Sequence, residues 1–175
     1  MKFNHLEGYE SVTLPTETIN GKRYYVTPSG NKYPSVTTVT GMHNAKWVAK
    51  WRANVGAEKA DKISAQAAGR GSRYHYMQED FLNNIDITEK LKKATPLDQM
   101  MFNQTREITE KIGDIYMLEG SLYSDDLAIA GRVDCIAEFA GQVSVIDFKT
   151  STKAKSPSKI KSYFMQETAY AKMFE

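Results

Sequence analysis

Two aspartates and a lysine stand close together in the sequence, in a pattern that could hold a divalent cation and a phosphate. Asp134 lies in one apolar run, Asp147 and Lys149 lie in the next, and the dipeptide 140–141, Ala-Gly, separates the two runs. If that dipeptide is the two-residue loop of a β-hairpin, pairing outward from it places Asp134 directly opposite Asp147. The sequence therefore predicts two carboxylates that meet across neighbouring strands.

This pair of carboxylates needs a compensating positive charge. Opposed side chains on paired strands have Cβ atoms about 5 Å apart, where two like charges repel by roughly 3 kcal/mol at an effective dielectric near 20. Strand alternation puts Lys149 on the same face as both aspartates, and such a cluster suits a hard cation and a phosphate. The alternative is a structural ion pair between Lys149 and one aspartate. A three-residue loop with a bulge at Gly141 would instead slip the register by about one position.

The opposite face of the hairpin is largely apolar, which predicts that the hairpin is buried between two layers. This face carries Val133, Cys135, Ala137, Ser144, Ile146 and Phe148. Cys135 is the one cysteine of the chain, and its apolar neighbours indicate a buried core thiol, with a reactive nucleophile as the alternative. One cysteine cannot bind a four-cysteine iron-sulfur cluster.

Three strands and three helices are expected to position this cluster. The strands 115–123, 127–139 and 142–150 predict an antiparallel meander, broken at 124–126 and 140–141. One helix is expected at 64–82 with Ser64 as its N-cap and His75 one turn before Glu79. A second is expected from Thr95, where a proline follows the N-cap, to near Gly113, and a third spans 158–175.

The N-terminal part predicts a β-hairpin followed by a helix. The runs 22–26 and 35–40 read as strands around a turn at 28–31, and a helical pattern follows over 44–62. In that helix Trp47 and Trp51 are one turn apart among lysines. They could stack nucleic-acid bases, although packing of both rings against the core is the more ordinary interpretation.

Length and composition indicate a single domain spanning 1–175. A chain of 175 residues that is 41% hydrophobic and 25% charged can bury a core without disulfides, and no apolar run approaches the roughly 20 residues that span a bilayer. The first ten residues lack the basic and apolar segments of a secretory signal, so we expect a cytoplasmic protein that does not enter membranes.

The net charge of +2 does not by itself indicate nucleic-acid binding, but the distribution of charge does. Lysines without an intervening acid occur between 149 and 161, at positions 149, 153, 155, 159 and 161, and a second basic group contains Arg70 and Arg73. A solvated loop is the alternative for each group.

At these residues the sequence resembles the PD-(D/E)XK nuclease superfamily. The resemblance rests on the motif 131–134, Gly-Arg-Val-Asp, on 145–151 with its Asp-Phe-Lys triplet, and on Gln166 and Tyr170 at Q-x-x-x-Y spacing. Together they are similar to the RecB/Cas4-like exonuclease branch. The segments 34–39 and 67–75 are also similar to the exonucleases of mitochondrial genome maintenance and to their phage relatives.

The resemblance implies a fold of the α/β (α+β) class: a restriction-endonuclease-like core whose central mixed sheet carries the meander and is flanked by helices. It implies that Asp134, Asp147 and the Phe148 carbonyl bind Mg²⁺ or Mn²⁺, joined by His75 and Glu119. Lys149 would orient water, while Gln166 and Tyr170 would face the site. His75 could instead be structural, and Glu119 could merely pair with Arg132. Flanking phosphates would contact Arg70, Arg73, Thr150, Ser151, Lys153 and Lys155.

The implied function is a metal-dependent DNA exonuclease acting on single-stranded ends, in a bacterial or phage-infected cell and in DNA repair or recombination. A structure-specific endonuclease with the same metal centre is one alternative. A nucleic-acid-binding subunit of a recombination complex that does not cut is another. Members of this fold usually carry a further strand after the last helix, which this chain does not contain, so a protein partner or a missing C-terminal segment is expected. The cysteine count argues against the cluster-bearing Cas4 subgroup.

Overall fold

The computed structural model describes residues 2–9 and 11–175, which form two three-stranded sheets and six α-helices. The strands are β1 (Thr16–Ile19), β2 (Lys22–Val26), β3 (Lys32–Pro34), β4 (Ile112–Ser124), β5 (Ile129–Phe139) and β6 (Gln142–Ile146). The helices are α1 (Val36–Gly41), α2 (Ala45–Val55), α3 (Ala57–Leu82), α4 (Thr88–Lys93), α5 (Pro96–Thr109) and α6 (Lys161–Phe174).

The predicted meander is confirmed. β4 pairs with β5 and β5 pairs with β6, both antiparallel. The two-residue loop is also confirmed, because Ala140 and Gly141 have φ values of 52° and 79°, as a type I′ turn requires, and Phe139 faces Gln142. Parallel pairing among the described residues is limited to two isolated bridges, His5 with Ile115 and Ser35 with Ala130. The predicted α/β fold class is confirmed.

The meander is covered on both faces. On one face Phe3, Leu82 of α3, Ile115 and Cys135 form a buried cluster. On the other face Val36 of α1 and Tyr170 of α6 pack with buried residues of β4 and β5. The sheet therefore lies between a layer built on α3 and a layer built on α1 and α6, as its apolar composition predicts. Burial raises the pKa of the Cys135 thiol to about 12, which agrees with a core thiol.

The N-terminal sheet corrects one prediction. β2 pairs with β1 and with β3, so the predicted hairpin exists but has other partner strands. The prediction that residues 35–40 form the second strand of this hairpin is wrong. Those residues form α1 because Ser35 caps the helix: its hydroxyl accepts the N–H of Thr38 at 3.0 Å. Capping overrides the strand preference of the β-branched residues, and Val36 and Thr40, one turn apart, are both buried.

After α1, two predicted helix boundaries differ from those in the structure. The expected helix over 44–62 ends at Val55, because Gly56 adopts φ 89°, a conformation that glycine tolerates without steric cost. α3 then begins at Ala57, so Ser64 lies inside a helix and is not its N-cap.

The prediction for α5 is confirmed at its start, where the Thr95 hydroxyl accepts the N–H of Asp98 at 3.2 Å. It was wrong about the end, because α5 stops at Thr109 and β4 already begins at Ile112. Every helix within residues 2–9 and 11–175 is too short or too polar to span a lipid bilayer.

Candidate metal centre

Three side chains from three elements converge on one spot beside the meander. His75 of α3, Glu119 of β4 and Asp134 of β5 each offer a ligand atom, and these atoms all lie within 4.8 Å of one another. His75 Nδ1 is 3.5 Å from Asp134 Oδ2. One imidazole nitrogen and two carboxylate oxygens at this spacing form a donor set that a divalent cation can bind.

Glu119 and Asp134 face α3 because the alternation of both strands is broken at this point. Glu119 has φ 50°, a value that costs a non-glycine residue roughly 1–2 kcal/mol. Cys135 packs on the α3 side, and Val133, two residues away, packs on the α6 side. The prediction that Val133 shares a face with Cys135 is therefore wrong, since strict alternation does not continue through Asp134. Backbone strain of this kind concentrates at functional sites.

Asp147 lies beyond the end of the ladder, which corrects the predicted direct pairing with Asp134. The last pair of β5 and β6 is Cys135 with Ile146, so the predicted register is right but ends one pair earlier. The chain leaves the ladder there, because the backbone N–H of Phe148 donates to Asp134 Oδ2 at 2.8 Å instead of to a backbone carbonyl. The Asp134 carboxylate thereby fixes the backbone next to Asp147.

Lys149 forms an ion pair with Asp147, which is the pairing weighed above as the structural alternative. The Asp147 side chain is 4% exposed and that of Lys149 is 36% exposed. Gln166 of α6 donates from Nε2 to the same oxygen, Asp147 Oδ1, at 3.1 Å. Asp147 is therefore a buried carboxylate held by α6 and Lys149, outside the group of His75, Glu119 and Asp134.

The electrostatics of the two converging carboxylates favour a cation between them. Burial raises the pKa of Asp134, the nearby charge of Asp147 raises it further, and His75 and the N–H of Phe148 oppose the change. Burial also raises the pKa of Glu119, against the charge of Arg132. Arg132 Nε lies 2.7 Å from Glu119 Oε2, so the predicted alternative pairing is present together with the convergence on Asp134.

α6 borders the site with the two residues of the Q-x-x-x-Y pattern. Gln166 contacts Asp147 as described, and Tyr170 is 3% exposed and packs on β5. A Cβ atom placed on Gly131 would lie 2.7 Å from the Tyr170 hydroxyl oxygen and 2.8 Å from its Cε1. The absence of a side chain at Gly131 thus lets α6 approach the strand that carries Asp134.

The residues expected to contact phosphates have different partners in the structure. Arg70 and Thr150 lie together near the site, with Arg70 Nε donating to Thr150 Oγ1 at 3.4 Å. Arg73 instead donates to the buried Asp98 at 2.7 Å and 3.3 Å, which gives it a structural role between α3 and α5. Lys153 and Ser151 bond to each other within the loop after β6, and Lys155 bonds to Tyr163. Contact of these residues with nucleic acid stays a prediction.

Tyr163 and Glu167 of α6 also belong to the surroundings of the site, and the sequence interpretation missed both. The Lys149 ammonium lies 5.5 Å from the centroid of the Tyr163 ring. Burial raises the pKa of Glu167, and the charge of Asp147 adds to this. Residues 163, 166, 167 and 170 recur at helical spacing, so the signal that could have found them was the face already defined by Gln166 and Tyr170.

The sequence is similar to known nucleases over most of its length. The sequence profile of the PD-(D/E)XK nuclease superfamily matches residues 43–175. The chain is 28% identical over 130 residues to mitochondrial genome maintenance exonuclease 1 of Xenopus tropicalis, an alignment that covers 70% of this chain and 37% of that protein. The human protein of the same name is 26% identical over 133 residues, covering 71% of this chain and 38% of its own length. The chain thus spans about two fifths of the length of these relatives.

Proposed function

This chain belongs to the PD-(D/E)XK nuclease superfamily, and from that premise we propose that it is a metal-dependent DNA exonuclease that acts on single-stranded ends. The observation that carries the metal dependence is the convergence of His75, Glu119 and Asp134 within 4.8 Å. The exonuclease activity rests on the relatives, which bear that word in their names. We further propose that the 175 residues form one nuclease domain.

The donor set fits Mg²⁺ or Mn²⁺. Two carboxylates whose pKa values burial raises hold negative charge at a cost that a bound cation offsets. His75, Glu119 and Asp134 would hold the ion, with Asp147 and the Phe148 carbonyl completing the site. When bound, the ion would neutralise phosphate charge and lower the pKa of a coordinated water.

The remaining residues of the site orient the reacting groups. Lys149 is paired with Asp147, so its ammonium is held where it can bind a phosphate oxygen and stabilise the negative charge that develops during cleavage. Gln166 fixes the Asp147 carboxylate from the opposite side through its 3.1 Å hydrogen bond. Tyr170 sets the distance between α6 and β5 through its contact with Gly131.

The phosphates that flank the cleaved bond would contact the basic residues around Thr150. Arg70 lies beside Thr150, and Ser151, Lys153 and Lys155 follow in the same loop. Arg73 of α3 is engaged by Asp98. Binding through lysines and arginines releases counterions, so DNA affinity should fall steeply as salt rises.

The test is cleavage of 5′- and 3′-labelled single-stranded, duplex and circular DNA with Mg²⁺, and with EDTA in parallel. We expect linear single strands to be degraded and circular single strands to survive, because a circle has no end. Lys149→Ala should lower the rate about 10²- to 10³-fold, whereas Lys172→Ala, an exposed lysine of α6 paired with Glu175, should not.

Each other outcome identifies a different function. Cleavage of circular single strands would favour the structure-specific endonuclease. An absence of cleavage on every substrate, together with unchanged DNA binding by Lys149→Ala, would favour a binding subunit. Cleavage that EDTA leaves unaffected would contradict the metal centre itself.

A further inference from the structure

A cavity of about 440 Å³ lies between α2 and the segment that leads into α6. Two lysines and two aromatic rings line it: Trp47, Lys155, Lys159 and Tyr163. None of the described residues that line this cavity is acidic. A cavity with cationic groups and flat rings complements a nucleotide, whose phosphate is an anion and whose base has a planar face.

Trp47 is 67% exposed, so the interpretation that it packs against the core is wrong. α2 contains no buried residue, and the Trp47 and Trp51 rings lie parallel within 4°, with centroids 6.3 Å apart. A tryptophan left this open is unusual, since its ring carries a large apolar area. The ring is therefore available to a ligand that enters the cavity.

The cavity is joined to the ion pair of Lys149 and Asp147 through the Tyr163 ring. The Lys155 ammonium lies 4.8 Å from the centroid of that ring and bonds to its hydroxyl. The Lys149 ammonium lies 5.5 Å from the same centroid. One aromatic ring thus connects the lysine that pairs with Asp147 to the lysine that lines the cavity.

We propose that this cavity is a nucleotide subsite, in which a base of single-stranded DNA next to the cleaved bond stacks on Trp47. Lys155 and Lys159 bind the phosphates on either side of that base. The subsite rests on the proposed function, because it takes DNA as the substrate. Stacking on an aromatic side chain tolerates every base, so the subsite selects a strand whose bases are unpaired and not a sequence.

The test measures binding of labelled single-stranded 12-mers to the full chain in EDTA, so that no cleavage interferes. One abasic nucleotide is moved along the strand. For the wild-type protein, an abasic nucleotide at the stacked position should weaken binding about 5- to 150-fold. Trp47→Ala should bind the intact strand more weakly than the wild-type protein does, by a similar factor. An abasic nucleotide at the stacked position should then weaken its binding no further, while the effects at the other positions stay the same.

The matched control is Tyr76→Ala, which removes another exposed ring, 59% exposed, outside this cavity. It should keep the position-dependent loss seen in the wild-type protein. Lys155→Ala should reduce the slope of log affinity against log salt by about 1. Circular dichroism, together with Trp47→Phe, which keeps a ring and should keep most of the sensitivity, separates loss of stacking from loss of folding.

An abasic profile in Trp47→Ala identical to that of the wild-type protein would overturn the subsite. If cleavage occurs and the profile does not depend on Trp47, the subsite fails and the proposed nuclease function stands. If cleavage is absent but the profile depends on Trp47, the chain binds single strands through this cavity and the nuclease function fails. An absence of any binding to single-stranded DNA overturns both.

Discussion

Replacing Gly131 by alanine should disturb both the packing of α6 and the chemistry of the site. A Cβ at this position would lie 2.7 Å from the Tyr170 hydroxyl oxygen, 2.8 Å from Cε1 and 3.2 Å from Cζ. Carbon atoms in contact prefer about 3.5–4.0 Å. The Tyr170 ring, which is 3% exposed, must therefore move by about 1 Å, or α6 must move with it.

The cost follows from the size of this overlap. Overpacking a dense core by one methyl group costs about 1–3 kcal/mol, and for a domain of this length each 1 kcal/mol lowers Tm by about 2–4 °C. Gly131→Ala should therefore melt about 2–12 °C below the wild-type protein. Because Gln166 lies one turn before Tyr170 and donates to Asp147, a displacement of about 1 Å should also lower the cleavage rate by about 10²-fold.

The assay compares thermal unfolding by circular dichroism with cleavage of labelled DNA below Tm. Gly71→Ala is the matched control, because it makes the same change inside α3, where the new Cβ meets its nearest neighbour, Thr150 Oγ1, at 4.0 Å. Alanine is favoured over glycine in a helix by about 0.5–1 kcal/mol, so this variant should melt higher. A Gly131→Ala protein with wild-type Tm and activity would refute the role assigned to the contact between Gly131 and Tyr170.

Three other changes test the packing and the charges of the fold. Leu82→Ala should lose about 2–5 kcal/mol in urea unfolding, because Leu82 is fully buried; an equal loss in Leu97→Ala, at a residue 46% exposed, would contradict this. Hydrogen bonds from Arg73 lower the pKa of Asp98 in the folded protein. The pair of Arg73 and Asp98 therefore stabilises the fold fully at pH values above the pKa that Asp98 has in the unfolded chain. This stabilisation is lost as the pH falls through the lower pKa that Asp98 has in the folded protein. Asp98→Asn should therefore lose less of its stability on acidification than the wild-type protein, and an unchanged pH dependence would count against the pair. Ser35→Ala should cost about 0.5–2 kcal/mol through the lost cap of α1, and no change in Tm would show that the cap is not needed.

The parts of the fold that the sequence predicted correctly are those set by neighbouring residues. Ala140 and Gly141 form a two-residue turn whose geometry fixes the register of β5 and β6. Thr95 and the proline after it define the start of α5. Each of these signals acts within a few residues, so no tertiary contact is needed to interpret it.

The boundaries that were wrong depend on competing local signals. The run 36–40 has the composition of a strand, but the hydroxyl of Ser35 provides a helix cap. Gly56 divides two helices through its positive φ, while Gly69 and Gly71 lie within a continuous helix. The presence of a glycine in the sequence does not reveal whether the helix ends there or continues, because glycine adopts positive and negative φ with similar ease.

The arrangement of the site could be predicted only in part. Hairpin geometry brought Asp134 near Asp147, but the positive φ of Glu119 and the turn of the chain at Phe148 involve residue types that give no such signal. The approach of His75 to Asp134 joins α3 to β5 across 59 positions of sequence, and only the resemblance to a nuclease family indicated it. That family is confirmed, whereas the roles of the individual residues stay predictions.

The most direct test of the metal centre is Mn²⁺ binding, measured by calorimetry on the full chain without DNA. Asp134→Asn should weaken Mn²⁺ binding at least tenfold, since it removes one charge from the group formed with His75 and Glu119. Glu138→Gln, which removes an acid four residues later on β5, should bind Mn²⁺ like the wild-type protein. Equal Mn²⁺ affinity in the wild-type protein and Asp134→Asn would contradict the proposed site.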